Sequence, residues 1–205
     1  MAMTVRTIFG SACLLGFLAL QAGAQIEGAY ESIGPIPGKH SLDTVVYEEY
    51  INFTCSHCNN FRAAALPIKE KFRDRLRIVY IPILFRGQND AAMRLFYIAQ
   101  QQGLEEQMMN ALFDATFRYG VNINDPAVVS YLARSAGLGE AYASEAGADW
   151  VTQKVEAAMA KAREAGVTAT PTVVLQGTVR VLPRGGMQAF VDNLDRLITQ
   201  LLKEG

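Results

Sequence analysis

Cysteine and histidine are scarce in this chain. Its 205 residues include three cysteines and two histidines, Cys13, Cys55, Cys58, His40 and His57. A scaffold stapled by several disulfides would need more cysteines, spread along its length. A tetrahedral zinc site wants four Cys or His ligands, and His57, lying between two cysteines, is poorly placed to share a metal with both. An excess of one charge is also missing. The 19 Lys and Arg face 20 Asp and Glu, for a formal net charge of −1 with no basic run, which gives no reason to expect a nucleic-acid partner. The apolar stretch near the N-terminus, Ile8 to Leu20, falls short of the roughly 20 residues that span a bilayer. No internal repeat or low-complexity segment is present. What the chain does have is apolar content, at 50% of residues, enough for one domain with a real core.

The short apolar stretch has a reading of its own. Met1 to Thr7 carries Arg6 and no acid, Ile8 to Leu20 is apolar or small, and Gln21-Ala22-Gly23-Ala24 offers an Ala-x-Ala site. These are the three parts of a secretory signal peptide, so residues 1–24 are expected to be removed and the rest exported. An uncleaved anchor is the alternative, disfavoured by the length of the run. Cys13 then serves as a small apolar residue of the leader, and Arg6 is the only charge lost. The exported chain keeps two neighbouring cysteines and no others, which suits reversible redox chemistry better than a structural framework. Residues 25–41 form a polar lead-in. Its Gly34-Pro35-Ile36-Pro37-Gly38 argues against a helix, and it is too short for a separate dimerisation domain.

The stretch Phe53-Thr54-Cys55-Ser56-His57-Cys58 joins an apolar, β-branched run (Val45 to Ile51) to a helix-like run (Asn59 to Arg73). Strand, tight turn and helix are expected, with Cys55 at or just before the helix start. Unpaired backbone N–H groups and the helix dipole favour a thiolate there, and the thiolate is the reactive species. Cys58, one turn on, is expected to face inward and act as the resolving cysteine. His57, if protonated and close to the sulfur, adds to the stabilisation. Zinc binding and a purely structural disulfide remain as alternatives. A loop this tight contributes only about 2 kcal/mol in the chain-entropy model, so it would staple poorly and reverse easily. Glu48 and Glu49 interrupt the strand. Either one faces solvent at an edge, or a partly buried carboxylate, with Glu49 the better candidate, relays the proton when Cys58 ionises.

Phe61, Ala65, Ile68 and Phe72 recur at helical spacing, with Pro67 expected to kink or restart the helix. Leu76 to Leu84 reads as a second strand, parallel to the first. No convincing strand follows between Asn89 and Arg163. Ala91–Gln102, Leu104–Arg118, Pro126–Ala136 and Ala148–Ala165 read as helices punctuated by Gly and Asn-Asp-Pro. Gly166-Val167-Thr168-Ala169-Thr170-Pro171 then leads into an apolar strand, where Pro171 cannot donate a ladder hydrogen bond. A trans bond at Pro171 is the base-rate expectation. Val173 to Leu175 and Thr178 to Leu182 flank Gln176-Gly177 as a hairpin, and Met187, Phe190, Val191, Leu194, Ile198 and Leu201 mark a closing amphipathic helix.

Phe53-x-Cys55-x-x-Cys58-x-x-Phe61 after a strand, a helical insert, then Gly166-Val167-x-x-Thr170-Pro171-Thr172 before a hairpin and helix resembles the DsbA-like branch of the thioredoxin superfamily. The likeness runs from about Asp43 to Leu202. It implies an α/β thioredoxin fold over residues 42–205, a central mixed sheet flanked by helices, with a helical subdomain inserted at about 88–165. It also implies Cys55 as nucleophile, Cys58 as resolving cysteine, Pro171 in the cis form, and Ser56, Thr170 and Pro171 against the substrate. Glu49 matches the acid that the family often carries before its cysteines. Ser56 departs from the Pro common at its position, whereas His57 agrees with the family pattern. The implied activity is thiol:disulfide exchange in the periplasm, with the Cys55–Cys58 disulfide in place of a cofactor. The expected partners are exported proteins with free thiols and a membrane redox protein, a DsbB-like reoxidase or, for a reductant, a DsbD-like reductase. A monomer is expected. Two rivals stay open at this point: a reductase or isomerase, and a non-catalytic soft-metal (copper) binder using Cys55, His57 and Cys58.

Overall fold

Val45, Tyr47, Tyr50 and Ile51 are all buried, and they belong to the strand around which the other elements gather. The computed structural model describes residues 26–204; the leader expected over 1–24, with Cys13, lies outside the described residues. In chain order the elements are β1 (Tyr30–Ser32), β2 (Val45–Ile51), α1 (Ser56–Ala64), α2 (Leu66–Lys71) and β3 (Leu76–Pro82). Then come α3 (Ala91–Gln101), α4 (Glu105–Phe117), α5 (Pro126–Ser135), α6 (Gly139–Glu145) and α7 (Asp149–Glu164), followed by β4 (Thr172–Leu175), β5 (Val179–Val181) and α8 (Gly186–Leu201).

The five strands form one mixed sheet in the order β1-β5-β4-β2-β3. β2 and β3 pair in parallel from Val45↔Leu76 to Ile51↔Pro82. A parallel pair needs a crossover connection, which α1 and α2 supply. β4 runs antiparallel to β2 on its other side, and β5 antiparallel to β4. The helical run expected over Asn59–Arg73, with a kink or restart at Pro67, is two helices meeting at Ala65, with Pro67 in the first turn of α2, where its missing N–H costs no helical bond. A helix α6 lies between the expected third and fourth helices of the insert. β1 is a strand inside the polar lead-in, pairing antiparallel with β5.

Each face of the sheet has its own core. On one face, Val45 and Tyr47 of β2 join Phe61, Ile68 and the buried face of α8 (Phe190, Leu194, Leu197, Ile198). On the other, Tyr50 joins Phe53, Cys58 and the helical insert (Leu95, Phe96, Met108, Leu112, Phe113). Side chains along a strand point alternately to the two faces, so neighbouring Glu48 and Glu49 must serve different cores. The possibility that one acid faces solvent at an edge does not hold. β2 lies between β4 and β3, and both acids are buried, Glu48 at 6% and Glu49 at 0% exposure. Each carries a lysine from the helix covering its face: Lys161 Nζ of α7 lies 2.6 Å from Glu48 Oε1, and Lys69 Nζ of α2 lies 2.8 Å from Glu49 Oε2.

Candidate active site

β2 delivers the chain to the sulfurs, and a tight turn reverses it into α1. Cys55 N donates to Asn52 O at 3.0 Å, and the first helical bond, Asn59 N to Cys55 O, is 3.1 Å. Cys55 therefore occupies the N-cap of α1, with extended backbone angles (φ −90, ψ 114). The first N–H groups of a helix have no partner within it, and Cys55 stands at that end with no side-chain cap bond.

The two thiols have different surroundings. Cys55 is half-buried, and its Sγ donates to the Thr170 carbonyl at 3.2 Å. Cys58 is fully buried in the core beside the insert. Burial pushes the Cys58 thiol up to about 12, against the opposite pull of Thr170 and of the Asn52 backbone, with a smaller upward push from Cys55. The Thr170 hydroxyl is itself buried without a hydrogen-bond partner. It is close enough to favour a Cys58 thiolate, yet not aligned as a hydrogen bond to the thiol. One sulfur is thus reachable and the other is held protonated until a reaction calls on it.

Thr170 and Pro171 reach the site from the far end of the sequence, through the segment entering β4. The Thr170–Pro171 peptide bond is cis. Beside it runs an open groove of about 500 Å³ lined mainly by Pro171, Pro183, Met187 and Phe190, with His57 and Thr170 at its edge. Ser56 and His57 are both exposed on the first turn of α1. The structure therefore gathers Cys55, Ser56, His57, Thr170 and Pro171 into one surface, with Cys58 buried beneath it.

Glu49 stands apart from that surface. It faces the core under α2, and the Lys69 Nζ that it holds also donates to Tyr80 Oη at 3.1 Å. Burial pushes Lys69 down, but Glu49 and Tyr80 outweigh it and hold the ammonium above its ordinary range. Burial, then Glu49, pushes the Tyr47 hydroxyl up on the same face. Lys69 gave no signal in the sequence, because it reads as one more polar residue on a helix. Asn52, Thr54 and Gln88, which surround the turn before Cys55, gave none either, because polar residues are ordinary in turns and loops. The groove residues Pro183, Met187 and Phe190 were legible only as parts of a hairpin end and a closing helix. Among the described residues, no group of three or more His, Cys, Asp or Glu gathers in a way that could hold a metal ion, and no helix is long and apolar enough to cross a membrane.

Comparison with known proteins agrees with this geometry. The family model of the DSBA-like thioredoxin domain matches residues 46–197. The thiol:disulfide interchange protein DsbA of Pseudomonas aeruginosa is 26% identical over 201 residues, covering 96% of this chain and 94% of that protein. The protein of the same name from Pseudomonas syringae pv. tomato is 25% identical over 207 residues, covering 96% and 91%. The crystal structure of Pseudomonas aeruginosa DsbA superposes with a TM-score of 0.70 at 24% identity, over 83% of this chain and 91% of that one. The oxidoreductase DsbA from Xylella fastidiosa gives 0.68 at 20% identity, over 84% and 90%. The fold, a thioredoxin sheet with a helical insertion, is common to all of them. The chain belongs to the DSBA-like thioredoxin domain family and is a DsbA-like thiol:disulfide oxidoreductase.

Proposed function

We propose that this oxidoreductase works in the periplasm as a disulfide donor to exported proteins. The observation that carries the reading is the asymmetry of the two sulfurs: Cys55 half-exposed at a helix N-terminus and bonded to Thr170 O, Cys58 buried behind it. In the donor direction a substrate thiolate attacks Cys55 Sγ of the Cys55–Cys58 disulfide. The S–S bond breaks, its electron pair leaves on Cys58, and Cys58 takes up a proton. A second substrate thiolate then attacks the substrate sulfur of the mixed disulfide and displaces Cys55 as thiolate. The substrate is oxidised by two electrons and the protein is reduced. His57 and Ser56 border the attacking path, and the Thr170–Pro171 edge with its apolar groove offers an extended peptide main-chain and apolar contacts. For Glu49 the role of proton relay is kept as part of this proposal, supported by its complete burial and by the unpartnered Oε1 beside the Lys69 pair.

Location rests on the leader-like residues 1–24, and N-terminal sequencing of exported protein should begin at Gln25. A DsbB-like membrane reoxidase would then reset the disulfide, and no further cofactor is required. The deciding experiment is the equilibrium redox potential of Cys55–Cys58 against glutathione. A value near about −120 mV, where DsbA itself sits on the thiol–disulfide scale, supports a donor; one near about −270 mV makes the protein a reductant and overturns that direction. Cys55→Ser should abolish exchange, and Cys58→Ser should accumulate mixed disulfides with substrates.

A further inference from the structure

The sulfurs hang from a turn that is tied down by side chains, none of which is a cysteine. Asn52, buried at 3% exposure, opens the turn, and its carbonyl accepts from Cys55 N. Its Oδ1 accepts from Thr54 N at 3.0 Å and from Thr54 Oγ1 at 2.7 Å. Main chain and side chain of Asn52 therefore close the same turn, which is the local bonding that suits Asn to such positions. Its Nδ2 donates to Ile83 O at 2.8 Å, just beyond β3, and to Gln88 Oε1 at 2.7 Å.

Gln88 comes from the loop between β3 and α3 and returns these bonds with both ends of its amide. Oε1 also accepts from Phe85 N at 2.7 Å, which ties its own loop. Nε2 donates to Thr54 Oγ1 at 2.6 Å and lies 3.4 Å from Asn52 Oδ1. The two amides form a reciprocal pair with the Thr54 hydroxyl wedged beside it. Asn52, at the centre, is also the residue whose backbone favours the Cys58 thiolate. A path of direct bonds thus runs from a loop outside the site, through the Asn52 amide, to the turn that carries Cys55.

We propose that Gln88 is a positioning residue for disulfide exchange. By clamping Asn52 and Thr54 it fixes the turn that holds Cys55 at the start of α1, where unpartnered helix N–H groups favour a thiolate, and so favours the reduced state over the disulfide. The inference rests on the exchange chemistry proposed above. In that chemistry Cys58 is the leaving group when a substrate thiolate attacks Cys55, and a leaving thiolate departs faster the better it is stabilised. It is also the attacking group in the reverse direction. Gln88 touches neither sulfur and acts on both directions through Asn52.

A network that only held the loop would stabilise the oxidised and reduced forms alike. One that aims donors at thiolates stabilises the reduced form more, and that difference appears in the redox equilibrium itself. The test uses Gln88→Met, which keeps the shape of the side chain and removes all its donors and acceptors, together with Thr54→Val. Each is equilibrated with glutathione, and the thiol and disulfide forms are counted after acid quenching and alkylation. The equilibrium should move threefold to tenfold toward the protein disulfide in each single variant, about 14 to 30 mV in potential. The reduction of the oxidised protein by glutathione should slow in the same direction. The double variant should move no further than the larger single one, since both act through the Asn52 amide.

An unchanged equilibrium constant, with both redox forms losing equal melting temperature, would overturn the inference and leave the exchange reading standing. A wild-type protein with no reversible couple would overturn both. Should Gln88→Met fail to fold, the equilibrium constant of Thr54→Val decides alone.

Discussion

Replacing Lys69 by Met should cost this protein far more than the loss of one surface-like lysine. Glu49 is 0% exposed, the Lys69 side chain is 11% exposed, and Nζ lies 2.8 Å from Oε2. Glu49 Oε1 has no partner, so the lysine on Oε2 provides most of the compensation for that charge. Removing one member of a buried pair leaves an uncompensated charge and costs roughly 3–5 kcal/mol. The remaining access of Lys69 to solvent puts the expectation at the lower end, about 3 kcal/mol. With a urea slope of about 2 kcal/mol/M, the midpoint should fall by about 1.5 M. The assay is urea unfolding of the oxidised form at pH 7, followed by circular dichroism. The orphaned carboxylate can escape its penalty only by taking up a proton, so the deficit should shrink as the pH falls from 8 toward 5. Glu49→Leu combined with Lys69→Met should recover most of the loss, because replacing the whole pair by apolar groups removes the desolvation cost. A loss below about 1 kcal/mol, or one that does not change with pH, would refute the view that this pair is a buried charge balance.

Three further outcomes follow from other parts of the molecule. The Cys58 thiol, pushed by burial from 9.0 to about 12, contributes stability to the reduced form that is complete below pH 9 and is lost as the pH rises toward 12. Reduced protein should therefore lose about 1 kcal/mol relative to oxidised protein between pH 8 and pH 10, as read from paired urea curves. Gly166 has φ +62, and a methyl group there would run into Arg180, whose Nη1 holds the Ala165 and Gly166 carbonyls at 2.7 Å. Gly166→Ala should cost about 1–3 kcal/mol in the same assay. Phe190 is buried at 2% exposure, with its ring 5.3 Å from that of Phe61; Phe190→Ala should cost about 3–5 kcal/mol and loosen α8 against the sheet.

Local pattern carried much of this protein into view. The apolar run ending at Ile51, the two cysteines three apart and the helical spacing of Phe61 and Ile68 are short-range features, and a strand, a turn and a helix follow from them without help from distant residues. The helices of the insert were legible because Gly103, Gly120 and Gly137 punctuate them, and each of these takes a positive φ that glycine adopts at little cost. β1 was not legible. Tyr30–Ser32 is three residues long, too short for alternation to register, and it is a strand only because β5 offers it a free edge. The break at Ala65 was half legible: Pro67 announced it, but only packing located it.

The sequence by itself determined which two cysteines stand three apart, where the helix begins beside them, and which stretches can bury a face. These depend on spacing along the chain, and spacing survives in any conformation. The partners of Glu48 and Glu49, the meeting of Gln88 with Asn52, and the approach of Thr170 to Cys55 across 115 positions were decided only by the tertiary structure. Each is a contact between residues far apart in sequence, and closing such loops has an entropic cost that no local pattern records. A lysine on a helix looks the same from sequence whether it faces water or a buried carboxylate. The sheet's two faces, and the helices laid over them, are what tell Lys69 from its exposed neighbour Glu70.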